Sequence, residues 1–497
     1  MNAWAAYMRK EARENWLAHA IILTGIFLST WQFAHNRSLW MDEASLSLNI
    51  LSRGFAGLLL PLGGNQVAPI LYLQLTKALS LLTPGLEYGL RALPLLAFWA
   101  SLVLFYRTLR LLFKEDLAVI FVLSLFAFNP TMLYFSSEVK QYMTDVFVAV
   151  LFLYLSVRSY TKPGTRLLWL AGAGVVAVWL SHIAPLVLTG AGACLFLQTR
   201  REDEAWPRKT VLVGLSWLAG FSVYYGLFIH GHPTREFMVS FWRNEEVFLP
   251  ANPFSWEFLI FVKQKAGLLG NLVFSRSFAV ILGFWGLTAA GVFALLKQRK
   301  IALLFLLILP VLAHLVLSSL ELYPFGRRFV LYQVPLLITA CGYGASWLLL
   351  FVRKVRWFRF LQKGAFLIPL LMTLPLWGDF PRESQEIKRS IEFINVHAGK
   401  GHQLFLTSGS LSAYRYYSRT GLADPSGFAR VIEVPWAWTN ERAFEELMTS
   451  IEGPCWVLFS HDKREFEEYL LEQASKAGLA PVKTFRTTGS GAYLFML

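Results

Sequence analysis

The stretch AHAIILTGIFLSTWQFA, residues 18–34, runs directly into HNRSLWMDEASLSLNI, residues 35–50. The first segment holds no Asp, Glu, Lys or Arg and is about the length that enters a ~30 Å hydrocarbon core as a helix. The second sets Asp42 beside Glu43, with Arg37 and Trp40 just ahead of them, where the chain has left that apolar environment. Two adjacent carboxylates at such a boundary need a reason, and the rest of the chain supplies one.

The same apolar texture recurs along the chain. Of 497 residues, 55% are hydrophobic and 16% charged, with a mean hydropathy of +0.47. An ordinary soluble domain is far less apolar and carries more charge. The apolar blocks run to roughly 17–25 residues and lack period-2 alternation, which points to membrane helices and away from a β-barrel. The first block is too long for a removable signal peptide and has no small-residue cleavage site after it, so a retained anchor is expected. The net charge of +14 does not indicate nucleic acid. From Phe380 onward there are 13 basic and 14 acidic residues, so the excess lies entirely in the apolar portion.

That excess falls in six clusters: Arg9, Lys10 and Arg13; Arg107, Arg110 and Lys114; Arg158, Lys162 and Arg166; Arg200, Arg201, Arg208 and Lys209; Lys297, Arg299 and Lys300; and Arg353, Lys354, Arg356, Arg359 and Lys363. With all six on the cytoplasmic side, eleven spans thread without conflict. They are predicted at 16–34, 88–112, 117–135, 142–156, 167–180, 183–197, 211–229, 279–296, 301–319, 329–350 and 365–377, with the N-terminus inside and the C-terminus outside. The stretch APILYLQLTKALSLL, residues 68–82, carries Gln74 and Lys77 and does not fit as a span. It is expected, with residues 43–51, as helices on the membrane surface within a first external loop spanning residues 35–87. The turn signals GGN (63–65) and TPG (83–85) bound it.

The fold class expected is a mainly α polytopic membrane protein with a small C-terminal α/β soluble domain. The boundary falls between residues 1–379 and 380–497. In the latter, SQEIKRSIEFINVH and KREFEEYLLEQASKAG read as amphipathic helices, and HQLFLTS, CWVLFS and SGAYLFML as strands. Cys194, Cys341 and Cys455 are scattered, which suggests neither a disulfide framework nor a zinc site.

In this threading the polar residues other than those six clusters fall mostly on the external side: Arg37, Asp42 and Glu43; Glu87 and Arg91; Glu138, Lys140, Tyr142 and Asp145; His182; His230, His232, Arg235 and Glu236; Arg276; and Glu321, Tyr323, Arg327 and Arg328. Ionisable groups at a membrane boundary are costly and usually pair, line a wet cavity or act on a substrate. A purely structural role stays open for each. Asp42 is a fair N-cap for ASLSL, Arg327 and Arg328 are fair snorkelling anchors, His182 is a fair buried turn residue, and Glu138 and Lys140 can pair with each other. The HGH at 230–232 lacks a third ligand in a defined relation, so no metal is expected. Together, however, acids able to take a proton share one face with bases able to hold a phosphate.

The order of short motifs resembles the GT-C superfamily of integral membrane glycosyltransferases, in the branch of protein O-mannosyltransferases and lipid A aminoarabinose transferases. The matching elements are the Asp-Glu pair in WMDEAS, NQVAPILYL (65–73), EYGLRALP (87–94), NPTMLYFSSEVKQY (129–142) with Lys140 where Arg is common, and RRFVLYQVP (327–335). The chain departs from the aminoarabinose branch before Pro69, where Gln66 and Val67 stand in place of Glu-Lys, which disfavours that acceptor.

The resemblance implies an inverting transfer of a sugar from a polyprenyl-phosphate-linked donor to an acceptor hydroxyl, in a cell inner membrane with the active site facing the periplasm or exterior. Asp42 is expected as the base and Glu43 as its orienting neighbour. Arg327, Arg328, Lys140 and Arg91 are expected at the donor phosphate, and Glu138, Tyr142, His182 and Tyr323 at the substrate. The implied partners are that donor, a lipid, polysaccharide or protein acceptor, and membrane lipids, with no nucleic acid and no cofactor. The alternative is a transporter or flippase of lipid-linked sugars, but midplane charges and inverted repeats are not evident.

This threading is checked by reporter fusions. Fusions after Lys300 and Lys363 should report cytoplasm, and those after Arg235 and Glu383 the exterior; a cytoplasmic C-terminal region overturns the assignment of sides.

Overall fold

The computed structural model describes residues 15–83, 87–161, 167–198, 204–273, 277–352, 367–376, 378, 380–433, 453–461, 464–476 and 478–496. Among them, seven helices are long and apolar enough to cross a membrane: Trp16–Ala34, Glu87–Leu112, Tyr142–Thr161, Trp206–Ile229, Phe278–Lys297, Ile301–Ser319 and Leu331–Leu350. Asp116–Ala127, Leu167–Leu180 and Ala184–Phe196 are shorter apolar helices.

The helix Ile301–Ser319 shows the logic of the apolar part. Its buried face carries Leu303, Leu306, Pro310, His314 and Ser318 at helical spacing, while Phe305, Leu312 and Val316 are exposed. Polar groups turn inward and hydrocarbon outward, the reverse of a soluble helix, which suits a lipid solvent. Close approach of neighbours follows from small residues. A Cβ on Gly291 would collide with the carbonyl oxygen of Ala340, and one on Gly344 with that of Leu287, so Phe278–Lys297 and Val334–Val352 meet backbone to backbone.

Three expectations change. The segment 117–135 is not one helix: Asp116–Ala127 ends, and Pro130–Phe135 starts anew. Pro130 has no N–H to continue the ladder, and the Asn129 side chain accepts from Thr131 N and Met132 N at 2.9 and 3.0 Å, capping the second helix. Second, Arg235–Asn244 and Trp256–Val273 are helices that the hydropathy pattern did not single out, because charges interrupt them. Third, the segment 365–377 is helical over Leu367–Thr373, with a 3₁₀ turn at Leu374–Leu376. Residues 365, 366 and 377 lie outside the described residues, as do Arg276 and the cluster 353–363.

The chain forms two compact units. One comprises Met1–Ala34, Val67–Leu75 and Arg91–Gly378; the other comprises His35–Gln66, Thr76–Leu90 and Asp379–Leu497. Most of the first loop therefore groups with the C-terminal residues.

The second unit holds a five-stranded mixed sheet of β1 (Gln403–Leu406), β2 (Arg430–Glu433), β3 (Cys455–Ser460), β4 (Pro481–Thr487) and β5 (Ser490–Phe495), in the order β2-β1-β3-β5-β4. β1 pairs parallel with β2 and β3, while β5 pairs antiparallel with β3 and β4. Every residue of β1, β3 and β5 is buried, as expected for strands covered on both faces. Phe405, Val457, Phe459, Tyr493 and Phe495 form one core with Ala474 and Leu471 of the helix Arg464–Lys476. The helix Ile387–His397 buries Ile387, Ile391 and Ile394, and its Phe393 stacks on Phe485 at 4.7 Å between centroids. Sequence reading missed β2, β4 and the helix Ser408–Arg419.

Candidate active site

WMDEAS opens the helix Met41–Ser52. The cap position belongs to Trp40, with φ −78° and ψ 170°, and the first turn begins when Ala44 N donates to Trp40 O at 2.9 Å. Asp42 therefore does not cap the helix as expected; it stands inside the first turn beside Glu43. Carboxylates are favoured there by the positive end of the helix dipole.

The two acids have different surroundings. Glu43 is fully buried, and its Oε2 accepts from Arg37 Nη1 at 2.6 Å in an ion pair whose two side chains are both inaccessible to solvent. Asp42 is half-buried, with Gln66 Nε2 reaching its Oδ1 at 3.5 Å, the outer limit of a hydrogen bond. Gln66 is brought there by Asn49, whose amide donates to Ser45 O and Gly63 O and whose Oδ1 accepts from Gly63 N at 2.8 Å. The turn then needs left-handed backbone at Gly64 and Asn65, φ 67° and 53°. At the far end of the helix, Lys77 Nζ donates to Ile50 O at 2.9 Å, which satisfies a terminal carbonyl with a cation. The residue that argued against a span in 68–82 thus closes the carboxylate helix.

The segment leading into the helix is held by residues far along the chain. Ser38 N and Oγ donate to the Glu386 carboxylate at 3.1–3.3 Å. Leu39 N donates to Tyr417 Oη at 2.8 Å, and Met41 N to Gln385 Oε1 at 3.4 Å. Tyr417 Oη in turn donates to Glu87 Oε1 at 2.8 Å, and Lys388 Nζ donates to Glu87 Oε2 at 2.7 Å and to Asn36 O at 2.8 Å. Gln385 also pairs with His461 Nδ1, and the His461 ring lies against Trp40 at 5.3 Å between centroids. Sequence reasoning missed Gln385, Glu386, Lys388, Tyr417 and His461. No local spacing signals them, since their partners lie some 300 residues or more away.

The remaining expected site residues belong to the helical unit. Arg91, Glu138, Lys140 and Tyr142 are buried. The Arg328 guanidinium lies 5.4 Å from the Trp242 ring centroid and 5.9 Å from those of Tyr142 and Phe329. Phe329 also meets Tyr142 and Tyr323 edge-on at 6.1 and 5.7 Å. Three expected residues, Tyr142, Tyr323 and Arg328, are therefore brought round one phenylalanine, and Arg327 beside them is exposed.

His182 sits between the helices Leu167–Leu180 and Ala184–Phe196, with Nε2 3.0 Å from Tyr224 Oη. Burial pushes its pKa down to about 4, helped by His232. It is neutral at physiological pH and offers hydrogen bonds rather than charge. Its neighbour Ser181 donates to Asp145 Oδ1 at 2.6 Å. A second buried histidine, His314, was missed. Gln333 Nε2 reaches its Nδ1 at 3.0 Å, and its Nε2 lies 3.1 Å from Pro324 O. An amide nitrogen can only donate and a carbonyl can only accept, so the proton is on Nε2. A lone histidine in a strongly apolar helix was the available signal.

These features define a polytopic helical protein with an α/β unit carrying an Asp-Glu helix, and comparison with solved structures agrees on the architecture. The chain is similar to ArnT from Cupriavidus metallidurans in the apo state, with TM-score 0.52 and 14% identity over 97% of this chain and 98% of that one. It is likewise similar to the same protein bound to undecaprenyl phosphate, with TM-score 0.50 and 13% identity over 97% and 98%. At such identity the likeness is one of fold. No protein-family model matches the chain, and no curated protein matches it.

The buried ion pair is tested by a double-mutant cycle. Glu43→Gln or Arg37→Met alone should destabilise the purified protein by about 3–5 kcal/mol, because the surviving charge is left buried. The double variant should recover much of that loss in thermal unfolding; additive losses would show that the two side chains do not act as a pair.

Proposed function

We propose that the chain transfers a sugar from a polyprenyl-phosphate-linked donor to an acceptor hydroxyl at the external face of the membrane, with inversion. The observation that carries this reading is the contrast between adjacent carboxylates. Glu43 is fully buried against Arg37, whereas Asp42 is only half-buried, at the start of a helix fixed at both ends. Pairs of acids in unlike environments divide roles in this way. The fold shared with ArnT, one structure of which is bound to undecaprenyl phosphate, supports a polyprenyl carrier.

In this mechanism Asp42 takes the proton of the acceptor hydroxyl as its oxygen bonds to the anomeric carbon, and the bond from that carbon to the phosphate oxygen breaks. The leaving group departs as a phosphate monoester anion, which calls for charge stabilisation rather than a general acid. Arg328, with Arg327, Lys140 and Arg91, supplies it. The aromatic surround of Arg328 orients the guanidinium through cation–π contact. Tyr142, Tyr323, Glu138 and neutral His182 contact the sugar. Gln66, neutral where the aminoarabinose branch has Glu, stands beside Asp42 and argues for an acceptor other than that branch's.

Asp42→Asn keeps size and removes the base, so turnover should fall by about 10²- to 10⁴-fold with the protein folded and undecaprenyl phosphate still bound. Near-normal transfer would return Asp42 to a structural role. Arg328→Ala should weaken undecaprenyl phosphate binding, and Arg328→Lys should restore it only in part, lacking the planar fork. Unchanged affinity in Arg328→Ala and Arg327→Ala moves the phosphate site to Lys140.

A further inference from the structure

We infer that Gln385, Glu386 and Tyr417 are positioning residues for Asp42, so that the C-terminal residues set the aim of the base; this deepens the glycosyl-transfer reading and rests on it. Three backbone N–H groups between Ser38 and Met41 each donate to one of these side chains: Ser38 to Glu386, Leu39 to Tyr417 and Met41 to Gln385. These are the amides of the extended segment that enters the helix, and Asp42 is the next residue. A buried amide must find a partner, so the path of this segment is fixed by where those three acceptors stand.

The proton directions are determined as well. An ionised carboxylate only accepts, so Tyr417 Oη must donate to Glu87 and present its lone pair to Leu39 N. Lys388 bridges Glu87 to Asn36 O, and its own backbone N donates to Ser38 Oγ at 3.1 Å. Glu386 occupies the cap position of the helix Ile387–His397 yet makes no side-chain cap there, its carboxylate being turned to Ser38 instead. A residue that forgoes its own helix end in this way is better explained by the segment it holds.

Catalytic groups must sit close to productive geometry, and a displacement of ~1 Å costs up to about 10²-fold in rate. Tyr417→Phe deletes one hydroxyl from a buried ring without opening a large cavity, and Glu386→Gln keeps shape while weakening the acceptor. The test combines hydrogen exchange of the full-length protein with transfer from a panel of undecaprenyl-phosphate sugars.

In Tyr417→Phe, peptides covering residues 37–44 should exchange at least ~10-fold faster while those of β1 and β3 stay protected. Turnover should fall by about 10- to 100-fold with the donor KM unchanged, and Glu386→Gln should show a smaller effect of the same kind. Unchanged exchange in 37–44 in both variants overturns the inference, whatever the activity. Faster exchange with wild-type turnover also overturns it, provided Asp42→Asn is inactive. A folded wild-type chain that transfers from none of the donors, with Asp42→Asn indistinguishable from it, overturns the functional reading instead.

Discussion

Glu43 is carried inside the protein because Arg37 goes with it. A carboxylate sealed from water without a partner costs several kcal/mol, and only close, well-directed pairing offsets that cost. With the two groups 2.6 Å apart and six positions apart in sequence, the intervening chain must fold back on itself. That constraint leaves Ser38, Leu39 and Met41 with backbone N–H groups that the helix cannot satisfy, and puts Trp40 at the cap. The rest of the second unit can be understood as what satisfies the backbone this fold-back exposes.

The apolar architecture was legible in the sequence wherever a hydrophobic block was long and uninterrupted. Trp16–Ala34 and Ile301–Ser319 begin and end where the pattern places them, since within hydrocarbon the backbone can bond only to itself. The same reasoning failed at Asn129-Pro130, where block length concealed a proline break and a side-chain cap. It failed too at Trp256–Val273, where Glu257, Lys263 and Lys265 dilute a helical pattern. In the sheet, strands buried on both faces were evident as apolar runs. β4 was not, because at the sheet edge all of its residues are exposed or half-buried and no apolar run marks it.

The candidate site residues divide along similar lines. Asp42, Glu43 and the tyrosines and arginines near residues 140 and 325 were visible because charge and aromaticity at the end of an apolar block are conspicuous. That Tyr142, Tyr323 and Arg328 gather round Phe329 was not visible, because ring packing depends on which helices neighbour one another, and a single sequence carries no such information. His314 is inconspicuous for a different reason: it lies well inside a span, where no boundary marks it, and is satisfied there by Gln333 and Pro324 O.

The partners of segment 38–41 expose a limit of reading motifs alone. A motif such as WMDEAS marks the groups proposed to react, while the precision with which they could do so depends on what holds the backbone on either side. On the C-terminal side of Asp42 that support is local and regular, since a helix satisfies its own interior and Lys77 completes its end. On the N-terminal side there is no regular structure, and each amide needs an acceptor of its own. The sheet unit brings three such acceptors into place on the ends of two helices, Ile387–His397 and Ser408–Arg419, whose apolar faces are packed. Rigidity needed at an irregular segment is thus borrowed from regular elements hundreds of residues away, and an α/β layer, whose central strands are paired within their own sheet, is well suited to lend it.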